Sequence, residues 1–229
     1  MSEARPPGAA AIARMFSGLS RWRGKRIFHP NGVGFAARLT PIGGSRTGAT
    51  ALDAPSEPVV RLSRALGLPE PLPDPCGLAI RVPDAHGRGR HQDFLLVSSG
   101  QAPLARHMIL PARGFLDRPY SSLLPYRLNG KLVVLVARGV GDDGRGPLLE
   151  ELRERELGGL EFELGTATLT GKWRPVAQLA LGECLPADET ERLAFDPTNT
   201  GGGLELAWWL NRLRGPSYRA SQEGRASSG

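Results

Sequence analysis

Apolar and polar positions alternate in short runs through the first half of the chain, and turn residues cut the runs apart. Gly34 to Thr40, Pro58 to Leu62, Gly77 to Val82 and Phe94 to Val97 each predict a strand. Arg26-Ile27-Phe28-His29 predicts another, ended by the turn signal Pro30-Asn31-Gly32. Lys131 to Arg138 (KLVVLVAR) has the unbroken apolar character of a buried strand. Glu161 to Thr170 and Arg174 to Leu181 keep period two, as an antiparallel pair does. Helical patterning is weaker. It runs from Ala10 to Leu19, in pieces over 102–130 broken by Pro111, Pro119 and Pro125, and in the charged stretch Leu148 to Leu157, which Pro147 opens. A last helix is predicted from Leu204 to Leu213, with Gly215-Pro216 as an interruption.

About seven strands thus precede the main helices. This order predicts an α+β fold built on an antiparallel sheet or barrel, with helices at the C-terminal end. Residues 1–24 read as a flexible N-terminal arm and 25–229 as a single domain. Gly201-Gly202-Gly203 lacks the Lys-Ser/Thr ending of a phosphate loop and follows no predicted strand, so it reads as a plain loop.

Composition agrees with many turns: 30 glycines and 20 prolines among 229 residues argue against a helical bundle. No apolar run approaches the ~20 residues of a membrane span, and Arg14 interrupts the apolar stretch a signal peptide would need. Two cysteines, Cys76 and Cys184, exclude a disulfide scaffold and make a cytoplasmic location the expectation. The net charge of +6 would suit nucleic acid, but the basic residues are three lysines and 26 arginines scattered along the chain. The one dense cluster, Arg21, Arg23, Lys25 and Arg26, carries no nucleic-acid signature, so no nucleic-acid partner is expected.

Three constellations carry chemistry. Arg214, Tyr218, Gln222 and Arg225 fall on one face if the tail is helical. An arginine one turn from a tyrosine favours the phenolate, a ligand for ferric iron in haem proteins, and a second arginine could pair with a propionate. The same spacing also suits a solvated basic helix. Arg26 and His29 flank a glycine-rich strand start, where a histidine can move protons near neutral pH or simply end a strand. Arg61, in the run Val60-Arg61-Leu62-Ser63, needs a partner in its apolar strand, either a protein carboxylate or a bound anion.

The order of these pieces resembles the core domain of haem catalases and their small catalase-like relatives. Arg26-Ile-Phe-His29-Pro-Asn-Gly-Val-Gly-Phe is similar to the family's distal-histidine segment, and Val60-Arg61-Leu-Ser63 to its V-R-F-S strand. Asp74-Pro-Cys-Gly77-Leu-Ala79 is similar to D-P-R-G-F-A, and Glu191 to Asn199 to the segment before the proximal helix. Arg214-x-x-x-Tyr218 with Arg225 resembles the proximal R-x-x-x-Y and the arginine that follows it. The resemblance covers roughly 25–225 and is weakest over 101–160.

The resemblance implies a catalase-like antiparallel β-barrel holding haem b. Tyr218 would be the iron ligand, kept as phenolate by Arg214. Arg26, Arg61 and Arg225 would bind the propionates; His29 would be the distal acid–base, with Ser63 hydrogen-bonded to it. The implied activity is hydroperoxidase chemistry on hydrogen peroxide or an organic hydroperoxide. The alternatives are a haem-binding module without turnover and a haem-free scaffold. The resemblance also implies association into homo-oligomers, of a number it does not set. One departure shapes the expectation. The family's distal asparagine is due near Asp93 to Ser99, where no asparagine stands and a serine hydroxyl is the substitute at hand. This implies a better peroxidase than catalase.

Overall fold

The computed structural model describes residues 31–43, 47–141, 144, 146–154 and 159–206. The main strands are β1 (Asn31–Pro41), β2 (Val59–Arg64), β3 (Cys76–Val82), β4 (Gln92–Ser98), β7 (Lys131–Val140), β8 (Glu161–Thr168) and β9 (Arg174–Cys184). Shorter ones are β5 (Tyr120–Ser121), β6 (Tyr126–Leu128) and β10 (Leu204–Leu206). Three short helices accompany them: α1 (Thr50–Asp53), α2 (Leu149–Glu154) and α3 (Ala187–Arg192).

Among the described residues every pairing between these strands is antiparallel. β1 to β5 pair in sequence, β5 pairs with β7, and β7, β8 and β9 lead back to β1, closing an eight-stranded barrel. β6 lies along the same edge of β7 as β5 and carries β10 on its outer side.

Alternation explains the closure. Val33, Phe35, Ala37 and Leu39 of β1 point inward with Val60 and Leu62, Leu78 and Ile80, Phe94 and Leu96, Val133 and Leu135, Phe162 and Leu164, and Leu179 and Leu181. Tyr120 joins this core edge-on to Phe162, with ring centroids 5.9 Å apart. The interior is filled: a recess among Ile80, Phe94, Leu96, Leu135 and Leu164 has a volume of about 10 Å³, room for no more than one water molecule. The unbroken apolar character of β7 also has its reason. Val133 and Leu135 face the barrel core, while Val134 and Val136 face outward beneath Ala167, Leu169 and Trp173.

Three local expectations are corrected. Residues 102–130 hold a 3₁₀ turn, Ala105–His107, and then β5 and β6 in place of helical pieces. Pro111, Pro119 and Pro125 deny the segment helical hydrogen bonds, Leu123 and Asn129 take positive φ values of 55° and 48°, and Tyr120 and Tyr126 are drawn into the core. Leu204 to Leu206 is a strand, because the positive φ of Gly202 and Gly203 turns the chain so that Leu204 and Leu206 bury against β6. Residues 207–213 of that predicted helix lie outside the described residues. Asn31 and Gly32 begin β1 and are not a turn, paired with Arg64 and Ser63.

Candidate functional site on the outer face of the first four strands

With the interior closed, the chemistry-bearing residues of β1 to β4 lie on the outside of the barrel. The register aligns them in three rows. The first is Gly32, Ser63, Gly77 and Val97; the second is Gly34, Arg61, Ala79 and Leu95; the third is Ala36, Val59, Arg81 and Asp93. Each row crosses four strands, about 14 Å, and successive rows are about 7 Å apart. The first two rows form a low platform of glycine, alanine and aliphatic side chains bearing two polar groups, Ser63 and Arg61.

Close packing makes the platform flat. A Cβ on Gly32 would stand 2.7 Å from Cζ and Nη2 of Arg61 and 2.8 Å from the carbonyl oxygen of Leu62, so the arginine head lies directly over Gly32. The guanidinium is half-buried, and burial pushes its pKa below the ordinary arginine value. Ser63 is 4% exposed. The second row ends under α3: the Gly34 N–H donates to Thr190 Oγ1 at 3.2 Å, and the Leu185 N–H donates to the Gly34 carbonyl at 2.9 Å. A Cβ on Gly34 would stand 2.6 Å from that hydroxyl.

Of the residues singled out from the sequence, Arg61 and Ser63 stand one row apart on this face. Arg26, His29, Arg214, Tyr218 and Arg225 lie outside the described residues. The two serines near the expected asparagine are engaged elsewhere. Ser98 Oγ accepts from the Cys76 N–H at 3.0 Å and donates to the Leu110 carbonyl at 2.6 Å. Ser99 Oγ donates to the Pro119 carbonyl at 3.3 Å. Both side chains are fully buried, so neither offers the platform a hydrogen bond. Cys76, in the D-P-C-G segment, is a fully buried thiol with its pKa pushed up to about 12, chiefly by burial. Among the described residues no group of three His, Cys, Asp or Glu side chains could hold a metal ion.

Asp93 had no assigned role in the sequence, and it is the most connected carboxylate on this face. It is fully buried and takes both arms of Arg81, with Nε on Oδ1 at 2.8 Å and Nη2 on Oδ2 at 2.6 Å. Oδ2 also accepts from the Asp196 N–H at 2.7 Å and from Asn199 Nδ2 at 3.1 Å. The hydrogen bond to Asp93 raises the pKa of Arg81 above its ordinary value. The signal for this cluster was present in the sequence as Phe195-Asp196-Pro197-Thr198-Asn199, but nothing in a linear reading pairs that motif with an aspartate a hundred residues earlier.

Two solved structures share this architecture. A bacterial catalase superposes with a TM-score of 0.64 at 14% identity, over 92% of this chain and 60% of its own length. A fungal catalase superposes at 0.57 and 15% identity, over 85% of this chain and 58% of its own. The fold is that of the catalase barrel. The chain spans about 60% of the length of the catalases it matches. No protein-family profile matches the chain, and no curated protein matches its sequence.

The catalase-like platform passes a physical test for a flat, dicarboxylate cofactor such as haem. Away from Gly34, which Thr190 and Leu185 of the chain itself cover, its first two rows are apolar and side-chain-poor, and among their described residues Arg61 is the cation that suits a propionate. No helix among the described residues is long and apolar enough to cross a membrane.

Proposed function

We propose that the chain is a haem-dependent hydroperoxidase, acting as a peroxidase in preference to a catalase, with haem b against the outer face of β1 to β4. The observation that carries the reading is the pairing of a glycine-lined face with Arg61 and Ser63 on a barrel whose inward side chains pack into an apolar core. Haem, when bound, supplies the iron centre at which a peroxide O–O bond is cleaved. Arg61 binds a propionate through its guanidinium, with Arg26 and Arg225 serving the same carboxylates. Tyr218 is the protein's iron ligand, and Arg214 favours its phenolate. His29 takes a proton from the incoming peroxide and returns it to the departing oxygen. In sequence His29 stands three residues before Gly32, whose strand partner is Ser63. Ser63 then holds the imidazole in orientation.

The engaged hydroxyls of Ser98 and Ser99 favour peroxidatic over catalatic turnover, because neither serine is left to orient a second peroxide. The same observation supports a second reading, a haem-binding module without turnover. Haem titration of the purified chain separates these readings. A Soret band that is lost in Tyr218→Phe, with dye oxidation slowed about 10²–10⁴-fold in His29→Ala, is the expected result. A Soret band without peroxide turnover supports the module. No haem uptake refutes both and leaves the scaffold alone.

A further inference from the structure

The third row of the outer face raises a separate question: why a buried carboxylate should hold a loop from the far end of the chain. Asp93 fixes residues 194–199 by more than its two oxygens. Its own N–H donates to the Asn199 carbonyl at 2.9 Å. Its partner Arg81 donates to the Ala194 carbonyl at 2.6 Å and lies 5.4 Å from the centre of the Phe195 ring. Within the loop, Asp196 Oδ1 accepts from the N–H and hydroxyl of Thr198 at 2.8 and 2.7 Å, which gives the turn one shape. Gln92, next to Asp93, accepts from the Gly201 N–H at 3.3 Å. From there β10 docks on β6 and the described chain ends at Leu206.

We infer that Asp93 is a positioning residue: with Arg81 it fixes the course of the segment that leads to Tyr218, along the border of the platform that carries Arg61 and Ser63. This rests on the haem reading for its consequence, but the clamp itself is on the barrel. A carboxylate buried with a bidentate arginine and two further donors gives one geometry, and a neutral or shorter side chain leaves Arg81 and two donors short of an acceptor. The clamp sits about 14 Å from the Ser63 row, two rows away, so Asp93 acts on the cofactor through the chain and not by contact. Support residues of this kind change metal or cofactor affinity by about 10–100-fold when lost.

The test uses the full chain and two readings, haem affinity with its visible spectrum and amide hydrogen exchange of the apo-protein. Asp93→Ala is expected to expose the amides of 194–206 to exchange and to weaken haem binding by about 10–100-fold with a shifted iron–tyrosinate band, while exchange in β1 to β3 is unchanged. Asp93→Asn keeps one acceptor oxygen and is expected to fall between it and the wild type; it also serves if Asp93→Ala does not fold. Faster exchange over 194–206 with haem affinity and spectrum unchanged would overturn the positioning role. Wild-type protein that takes up no haem refutes the haem reading; exchange then decides the clamp, which is overturned if 194–206 stays protected in both variants.

Discussion

Adding one methyl group at Gly32 tests the platform directly. Its Cβ would stand 2.7 Å from Cζ and Nη2 of Arg61 and 2.8 Å from the Leu62 carbonyl oxygen, against an ordinary carbon contact of about 3.5–4.0 Å. The arginine head is the end of a flexible side chain and can swing away. The carbonyl belongs to the β1–β2 ladder and cannot. Overpacking of this kind costs about 1–3 kcal/mol. For a chain of this size that lowers the melting temperature by about 2–10 °C. Displacing Arg61 also removes a charge-assisted hydrogen bond from a bound carboxylate, about 1.5–3 kcal/mol, or 10–100-fold in haem affinity. The assay is thermal unfolding of apo-protein and haem titration in four proteins: wild type, Gly32→Ala, Arg61→Ala and the double variant. In the Arg61→Ala background two of the three close contacts are gone, so Gly32→Ala should cost less there, with a coupling of at least about 0.5 kcal/mol. Strict additivity would show that the Leu62 carbonyl alone carries the cost and that Arg61 makes no favourable contact over Gly32 to lose. Unchanged haem affinity in both single variants would refute the platform as the cofactor surface.

Alkaline stability should depend on Cys76. Burial raises its thiol from 9.0 to about 12, so the folded chain keeps a proton that the unfolded chain releases. The resulting stability is complete below pH 9, fades as pH rises towards 12, and amounts to at most about 4 kcal/mol. Tyr120, buried and also raised, adds a term of the same sign at higher pH. Urea unfolding between pH 8 and 11 should therefore show a steeper loss in wild type than in Cys76→Ala; parallel slopes would remove Cys76 from the account. Ser98→Ala should cost about 1–3 kcal/mol, since the Cys76 N–H and the Leu110 carbonyl lose their partner, yet leave dye oxidation by haem-loaded protein unchanged. A slowed oxidation would return Ser98 to the distal side.

The barrel was legible because its strands are amphipathic at period two, and that signal is local. β8 and β9 were visible as a pair in the sequence and do pair, and β7 announced its burial through six apolar residues without a break, Leu132 to Ala137. The segment over 102–130 was not legible, since two- and three-residue strands carry too few positions to show a period. Tyr120 and Tyr126 are held there by core packing against distant strands. The tail misled for a related reason. Leu204 and Leu206 fit a strand as well as a helix, and the choice fell to the glycine turn that meets Gly48 and to the open edge of β6. Arg61 and Ser63 were singled out through motif order and stand one row apart on the outer face, while the partners of Asp93 include a loop 103 positions away in sequence and could not be read from either motif alone.

The division between inside and outside carries a consequence for how this fold can change function. Residues that hold the barrel together point inward and leave no space for a ligand, and the candidate chemistry stands on the opposite side of the same strands. Along β2 the two roles alternate residue by residue, Val60 and Leu62 inward, Arg61 and Ser63 outward. Substitution at outward positions that are not themselves packed therefore alters what the face can bind at little cost to the core; Gly32, whose Cβ would meet Arg61 and the Leu62 carbonyl, is not one of them. The other exceptions are places where the outer face is itself packed, under Thr190 at Gly34 and around Asp93. Around Asp93 the outer face is spent on the chain itself: both carboxylate oxygens pair with Arg81, and Oδ2 also holds the Asp196 N–H, so this end of the face binds the protein's own loop.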